Sequence, residues 1–293
     1  MPTIRQLKRR ITSVKNTAKI TNALQLVAAS KMRRAQDRAT QSRPYADKLR
    51  LVLAGLATGE EGPDAEAAHP LLAVRPAKNV AVLHITPDRG LCGGLNSNLN
   101  RSAGTFVALQ HEPVSVIAVG KKGRDFFVRA HAHLVAEFTD LGDYPSQPDT
   151  AGIARIIIDD YLAGTVDRVY VSFSELVSTA NQRPVIRQLL PIDAPKMESA
   201  SEAAAFRADY IFEPSSDVVL ARLLPRYIEM QIYEAVLQNA ASFQSAQMVA
   251  MKNATDNAED MTRELTLTYN KIRQEQITKE LLDIVGGAAA LED

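Results

Sequence analysis

The run Arg226–Val285 holds sixty residues without a Gly or a Pro, and that absence of breakers predicts one continuous helix rather than several packed ones. At 1.5 Å per residue it extends roughly 90 Å, several times the radius of gyration of about 13 Å expected of a compact 100-residue domain. Most of it therefore projects beyond any core the chain can build. A second run, Thr3–Arg43, also lacks Gly and Pro and extends roughly 60 Å as a helix. Two long helices at opposite ends of one chain, each with an apolar stripe to cover, predict an antiparallel coiled coil with a globular insertion between them.

The formal net charge of zero conceals a polarised distribution. Residues 1–50 carry thirteen Lys and Arg against two Asp, residues 207–293 carry eight against fourteen acids, and the middle carries thirteen against eighteen. Basic and acidic helices attract one another, and the surplus positive charge calls for something outside the chain. A hydrophobic fraction of 46% over 293 residues is ordinary for one or two globular domains. No apolar run approaches the twenty or so residues needed to span a bilayer, and Met1–Arg10 is basic without a following apolar stretch, so a chain neither inserted nor exported is expected. The single cysteine, Cys92, excludes an internal disulfide and a cysteine-based zinc cage.

In the first helix, Ile4, Leu7, Ile11, Val14 and Ala18 fall at steps of three and four, on one face. Beyond them the stripe thins into Thr21, Ala28, Ala29 and Ser30, with Leu24, Leu26 and Val27 as the apolar remainder. Nine Lys and Arg, among them Lys31, Arg33 and Arg34, occupy much of the rest. Three readings stand for this basic surface: a solvated face, a nucleic-acid arm, or a contact for a protein with acidic loops. The arm lacks interleaved aromatics and any reading motif.

Pro44 is expected to close the helix, with Leu49–Leu56 as a short continuation, and the Gly-, Pro- and acid-rich residues 58–76 read as a linker. The periodicity then changes. Val80–Thr86, Val114–Val119, His133–Phe138 and Val169–Phe173 are β-branched strand candidates, alternating with helical stretches Ser97–Leu109, Lys122–Ala130 and Ile153–Leu162. Val185–Leu190, between two prolines, reads as an edge strand. The predicted class is α/β, with a Rossmann-like α/β domain over 77–205 inserted between helices over 1–57 and 206–293.

Asp88-Arg89-Gly90-Leu91-Cys92-Gly93-Gly94-Leu95-Asn96 follows the first strand and precedes a helix. A glycine loop there can cradle a phosphate on backbone amides, but the spacing makes neither a dinucleotide fingerprint nor a P-loop. A tight turn needing positive backbone dihedrals accounts for it, as one does for Gly120-Lys121-Lys122-Gly123. Cys92 has no histidine near it in sequence and reads as a small packed residue. His131 and His133 lack a third ligand, acid pairs such as Asp159-Asp160 diverge on their helices, and no nucleophile elbow or zinc-protease motif is present. The residues give no reason to expect a catalyst, a cofactor or a metal.

The last helix is expected to begin near Ser216 or Asp217, with Pro225 kinking or splitting it. Met261, Leu265, Thr268 and Ile272 keep a 4, 3, 4 spacing, and Ile277, Leu281, Ile284 and Ala288 resume it after a five-residue step, which rotates the seam. The apolar end Gly286–Leu291 reads either as a frayed terminus or as a slender tip inside another protein.

Three stretches, Ile20–Met32, the Asp88–Asn96 turn, and Tyr269–Gln274 with Ile277–Leu281, together make the chain closely resemble the gamma subunit of F-type ATP synthases, in order and over nearly its whole length. The resemblance implies a non-catalytic central-stalk rotor, inside a ring of three alpha and three beta subunits, whose α/β domain sits beside epsilon and on the c-ring. Catalysis would lie on beta, driven by a proton or sodium gradient, with attachment to the cytoplasmic side of a bacterial membrane only through partners and no contact with nucleic acid. It also implies roles for single residues: Arg273, Gln274 and Thr278 toward a beta loop, Lys31, Arg33, Arg34, Arg89 and Cys92 near an acidic beta lever, and Tyr210 and Glu213 toward epsilon and the c-ring. The cysteine-bearing insertion of chloroplast relatives is absent, Pro225 departs from the family pattern, and Leu24 stands where many relatives carry methionine.

Overall fold

The computed structural model describes residues 3–57, 69–192, 213 and 215–289. A first helix, α1 (Ile4–Ala57), leads into a domain of five strands and three helices: β1 (Val80–Ile85), α2 (Leu95–Ala108), β2 (Val114–Val119), α3 (Lys121–Arg129), β3 (His133–Phe138), α4 (Gln147–Leu162), β4 (Arg168–Ser178) and β5 (Asn181–Leu190). A last helix, α5 (Ser216–Ala289), completes the order. By contact the chain forms two compact units, residues 1–28 with 248–293, and residues 29–247. This divides both long helices, a partition of a different kind from the division by element type expected above.

In the smaller unit α1 and α5 pair through a narrow seam. On α1, Leu7, Thr21 and Ala28 are buried and Ile4, Ile11, Val14 and Ala18 half-buried, the 3-4 repeat expected of a coiled-coil face. On α5, Met251, Thr255 and Ala258 are buried, and Thr262, Leu265, Tyr269 and Ile272 half-buried, again at steps of four and three. The seam therefore keeps Leu265 and Ile272 but runs through Thr262 and Tyr269, not Met261 and Thr268, which are exposed. The larger apolar side chain misled the sequence reading, because close helix approach favours the smaller Thr262. At the centre Thr21 and Thr255 share a 2.7 Å hydroxyl–hydroxyl hydrogen bond, and whichever hydroxyl accepts it keeps its own proton for a carbonyl one turn back, on Thr17 or Ala18 for Thr21 and on Met251 for Thr255.

Neither proline ends its helix. Pro44 lies inside α1 and Pro225 inside α5. Each lacks an N–H and frees the carbonyl four residues back, on Thr40 and Ala221, both of which are exposed. Water can take the freed bonds, so neither helix is closed or split there. Ser215, one residue before the expected caps, supplies the hydroxyl toward the Val218 amide at 3.5 Å.

In the larger unit the sheet order is β3-β2-β1-β4-β5, parallel except for β5, which returns antiparallel along β4. Period-2 alternation sends Ala81, Leu83 and Ile85 of β1 into one core, with Ile153, Ala154 and Ile157 of α4, Leu49 and Leu53 of α1, and Leu224, Ile228 and Ile232 of α5. The alternate residue His84 faces the other layer, edge-on to Phe127 of α3 and bonded to Asn100 of α2. A strand buried on both faces reads as a continuous apolar run. β5 extends back through Pro184, which an edge strand tolerates, and α4 starts six residues earlier than expected because Ser146 and Asp149 form a capping box with a proline in the first turn. Within the expected linker, residues 58–68 lie outside the described residues, whereas Leu71 is fully buried in the core.

Two features of this domain are sharply constrained. Gly120 has φ 90°, and an added Cβ would lie 1.9 Å from the Thr86 carbonyl oxygen. Gly120→Ala is expected to cost about 3 kcal/mol or more, readable as a lowered urea midpoint. The His84 ring lies between Ser172 Oγ at 3.2 Å and Asn100 Oδ1 at 2.9 Å, and burial drives its pKa down to about 4, against a smaller opposing effect of the Asn100 bond. The unfolded imidazole takes a proton near pH 6.5 while the folded one does not until about pH 4, so acid favours unfolding. Stability complete above pH 6.5 should erode as pH falls, by about 2 kcal/mol between pH 7 and 5. His84→Gln should flatten that part of the profile in urea titrations at the two pH values.

Candidate functional site

In the smaller unit, every described side chain of α5 from Arg273 to Val285 is exposed. Arg273, Gln274 and Thr278 stand there without a side-chain hydrogen bond among the described residues, and Gln274 and Thr278, four apart, share a face. Beside them Ile277, Leu281, Leu282, Ile284 and Val285 are large apolar groups left open to solvent. The five-residue step therefore separates a seam covered within the chain from an apolar surface that is not.

The basic stretch of α1 is held by a loop no sequence pattern foretold. Lys31 Nζ lies 2.7 Å from Asp143 Oδ2, both side chains only 27% exposed. Arg38 and Arg34, one helical turn apart, stack their guanidinium carbons 5.0 and 5.9 Å from the Tyr144 ring centre, and Arg34 also donates to the Tyr144 hydroxyl at 3.4 Å. The ring attracts both cations through its π face without neutralising them. Lys31 is thus largely spent within the chain, Arg34 is positioned with its charge intact, and Arg33 is exposed with no ion pair among the described residues.

The Asp88–Asn96 turn is built by left-handed backbone at Leu91 (φ 62°) and Gly93 (φ 58°); Gly90 and Gly94 do not have positive φ. A left-handed leucine costs of order 1 kcal/mol, and here it holds the side chain 64% exposed. Arg89 is exposed beside it, its carbonyl accepting from Asn96 Nδ2 at 3.2 Å. Cys92 points the other way, 3% exposed against Leu95, Phe243 and Ala246, and burial raises its thiol pKa. It is a packed support for the turn rather than part of its outer surface. Arg89 and Asp143 border one cavity, so the fold brings the turn and the Lys31 cluster together across more than fifty residues of sequence. Glu213 is exposed just ahead of α5, and Tyr210 lies outside the described residues. Asp143 and Tyr144 are the members that sequence reasoning missed, and neither carried a local signal.

A sequence profile described as ATP synthase matches residues 3–291. An ATP synthase gamma chain of Dehalococcoides mccartyi (strain CBDB1) is 52% identical over 291 residues, covering 99% of this chain and 100% of that one. The chain belongs to the ATP synthase gamma-chain family. A second gamma chain, from Roseiflexus castenholzii, is 51% identical over 297 residues with both chains covered in full. In fold the family likeness extends to a chain of the Euglena gracilis mitochondrial ATP synthase rotor in rotational state 1, with TM-score 0.67, 20% identity, and 94% and 98% of the two chains covered. A chain of the Tetrahymena thermophila central stalk and c-ring gives TM-score 0.60 at 22% identity, covering 80% of this chain and 99% of that one. Membership makes this chain a gamma-type subunit of ATP synthase.

The Lys31–Asp143 pair gives the site a direct check. Asp143→Asn should lower stability by under about 1 kcal/mol, since the pair is partly solvated. It should also raise the acylation rate of Lys31 relative to Lys8 and Lys15, measured by lysine labelling and peptide mass spectrometry.

Proposed function

We propose that this chain is the rotating shaft that couples an ion-driven ring to the nucleotide-handling subunits of an F-type ATP synthase. The observation that carries the proposal is the end of α5: from Arg273 onward it has left its own partner and presents apolar and hydrogen-bonding groups on a single slender helix. A surface of that kind suits a sleeve made by other chains. One copy would lie in a ring of three alpha and three beta subunits, with beta carrying out the chemistry of ATP. A single helix meeting three copies of one subunit touches each differently, and differential contact energy is what shifts each beta toward a different nucleotide affinity.

Arg273 and Gln274 would hydrogen-bond a beta loop, with Thr278 on the same face as Gln274. Arg33, Arg34 and Arg89 would attract an acidic beta lever, steering it without locking it. Lys31 enters that surface already paired with Asp143, and Cys92 serves it from beneath by holding the turn. Tyr210 and Glu213 would face epsilon and the c-ring, which would move protons or sodium ions. Among the described residues no helix is long and apolar enough to cross a membrane; attachment to the cytoplasmic side of a bacterial membrane would be made through partners.

Arg273→Ala combined with Gln274→Ala is expected to lower ATP turnover of the assembled complex severalfold while the chain stays folded and incorporated. Turnover equal to wild type, with incorporation verified by native mass spectrometry of the detergent-released complex, would remove these contacts from the proposal. Recovery of the chain without three alpha and three beta partners would remove the proposal itself.

A further inference from the structure

A cavity of about 320 Å³ opens at the carboxyl ends of β1 and β2, where Thr86 and Gly120 follow the two strands, and is closed on its far side by α5. In open α/β sheets this edge is where ligands bind, because backbone and loops fan apart there. The size is at the lower end of the roughly 300–1,000 Å³ usual for small-molecule sites, which admits one ring system with a short tail and no dinucleotide.

The lining is chemically selective. Val236, Ala240 and Phe243 of α5 supply an apolar wall with one aromatic ring. Set into it are two carboxamides, Asn239 and Gln244, each 4% exposed. Asn239 Oδ1 accepts only a long bond from the Ser174 amide, at 3.4 Å. Gln244 lines the cavity, and its buried Oε1 has no hydrogen-bond partner. As it stands this oxygen is turned away from the cavity surface, so a ligand donor meets it only if the carboxamide rotates about its terminal bond, a rotation that would end its orphaned state. At the rim the acids are already committed: Asp88 accepts the Lys121 and Asp140 amides, Asp140 pairs with Lys121, and Asp143 pairs with Lys31. Arg89 is the lining cation left without an ion pair among the described residues, and Asp88 next to it in sequence holds backbone amides but likewise has no ion pair.

An apolar slot with an aromatic wall takes a flat ring; carboxamides read a ring edge that carries a donor beside an acceptor; a free guanidinium at the mouth takes an anion. We propose that this cavity binds a purine nucleoside monophosphate, its base against Phe243 with its amino edge on Gln244 and Asn239, and its phosphate at Arg89.

The test is a thermal melt of the full chain with AMP. At about 1 mM AMP the melting temperature should rise by about 3 °C, whereas ribose 5-phosphate and inorganic phosphate should not raise it. Gln244→Leu, which replaces the orphan amide with an apolar group of similar size, should melt no lower than wild type and lose the AMP response. No response to AMP, an undiminished response in Gln244→Leu, or an equal response to phosphate alone would overturn the proposal. In the assembled complex, photolabelling with azido-AMP should leave an adduct in residues 236–247 of this chain that Gln244→Leu removes; adducts confined to the other subunits would overturn it as well.

Discussion

Two helices can run side by side only as closely as the smallest side chains on their seam permit, and the smaller unit depends on that limit. Thr21, Ala28, Thr255 and Ala258 are buried where a bulkier residue would hold the helices apart. Buried hydroxyls would ordinarily be costly, but Thr21 and Thr255 bond one another, and the one that accepts can donate to its own helix. Such a seam gains less from apolar burial than a leucine zipper. It gains register instead, because sliding by one turn would set each hydroxyl against a methyl group. The result is a slender and well-registered pair of helices.

The larger unit settles its polar groups in two contrasting ways. Around His84 every polar atom is answered: Ser172 on one ring nitrogen, Asn100 on the other, and Asn100 in turn donating to the Lys122 carbonyl. That layer ties β1, β4, α2 and α3 together. Across the sheet, where α5 crosses the strand ends, the helix face is Asn239, Ser242, Gln244 and Ser245 rather than an unbroken apolar stripe. Two serines reach carbonyls of the β4–β5 hairpin, and the glutamine reaches nothing. Satisfied polar groups specify a packing; an unsatisfied one marks where the packing was left open.

What the sequence made legible followed from periodicity and breakers. Ile4, Leu7, Ile11, Val14 and Ala18 gave the α1 seam, and Val114–Val119 and His133–Phe138 gave two strands to the residue, because burial on a helix or sheet face imposes a spacing that survives in one dimension. Pro44 was misread as a helix end, and Pro225 does not split its helix, because a proline is a local signal for a break while the cost of a missing hydrogen bond depends on whether water can reach the freed carbonyl, which no local pattern records. The seam past Ala258 was misplaced because hydrophobicity favoured Met261 where packing favoured Thr262. Of the candidate site, Arg273, Gln274 and the basic cluster were visible by resemblance. The Lys31–Asp143 and Arg38–Tyr144 contacts were not, since they join positions about a hundred residues apart through the tertiary fold alone.

The buried thiol has a use of its own. Cys92 is the chain's single cysteine and lies beneath the turn, sealed by Phe243 and Ala246 of α5. A reagent can reach it only when the turn lifts from the helix. Its rate of capture therefore counts how often that contact opens, so the chain carries an internal clock for the coupling between its domain and its long helix, with no probe to be engineered.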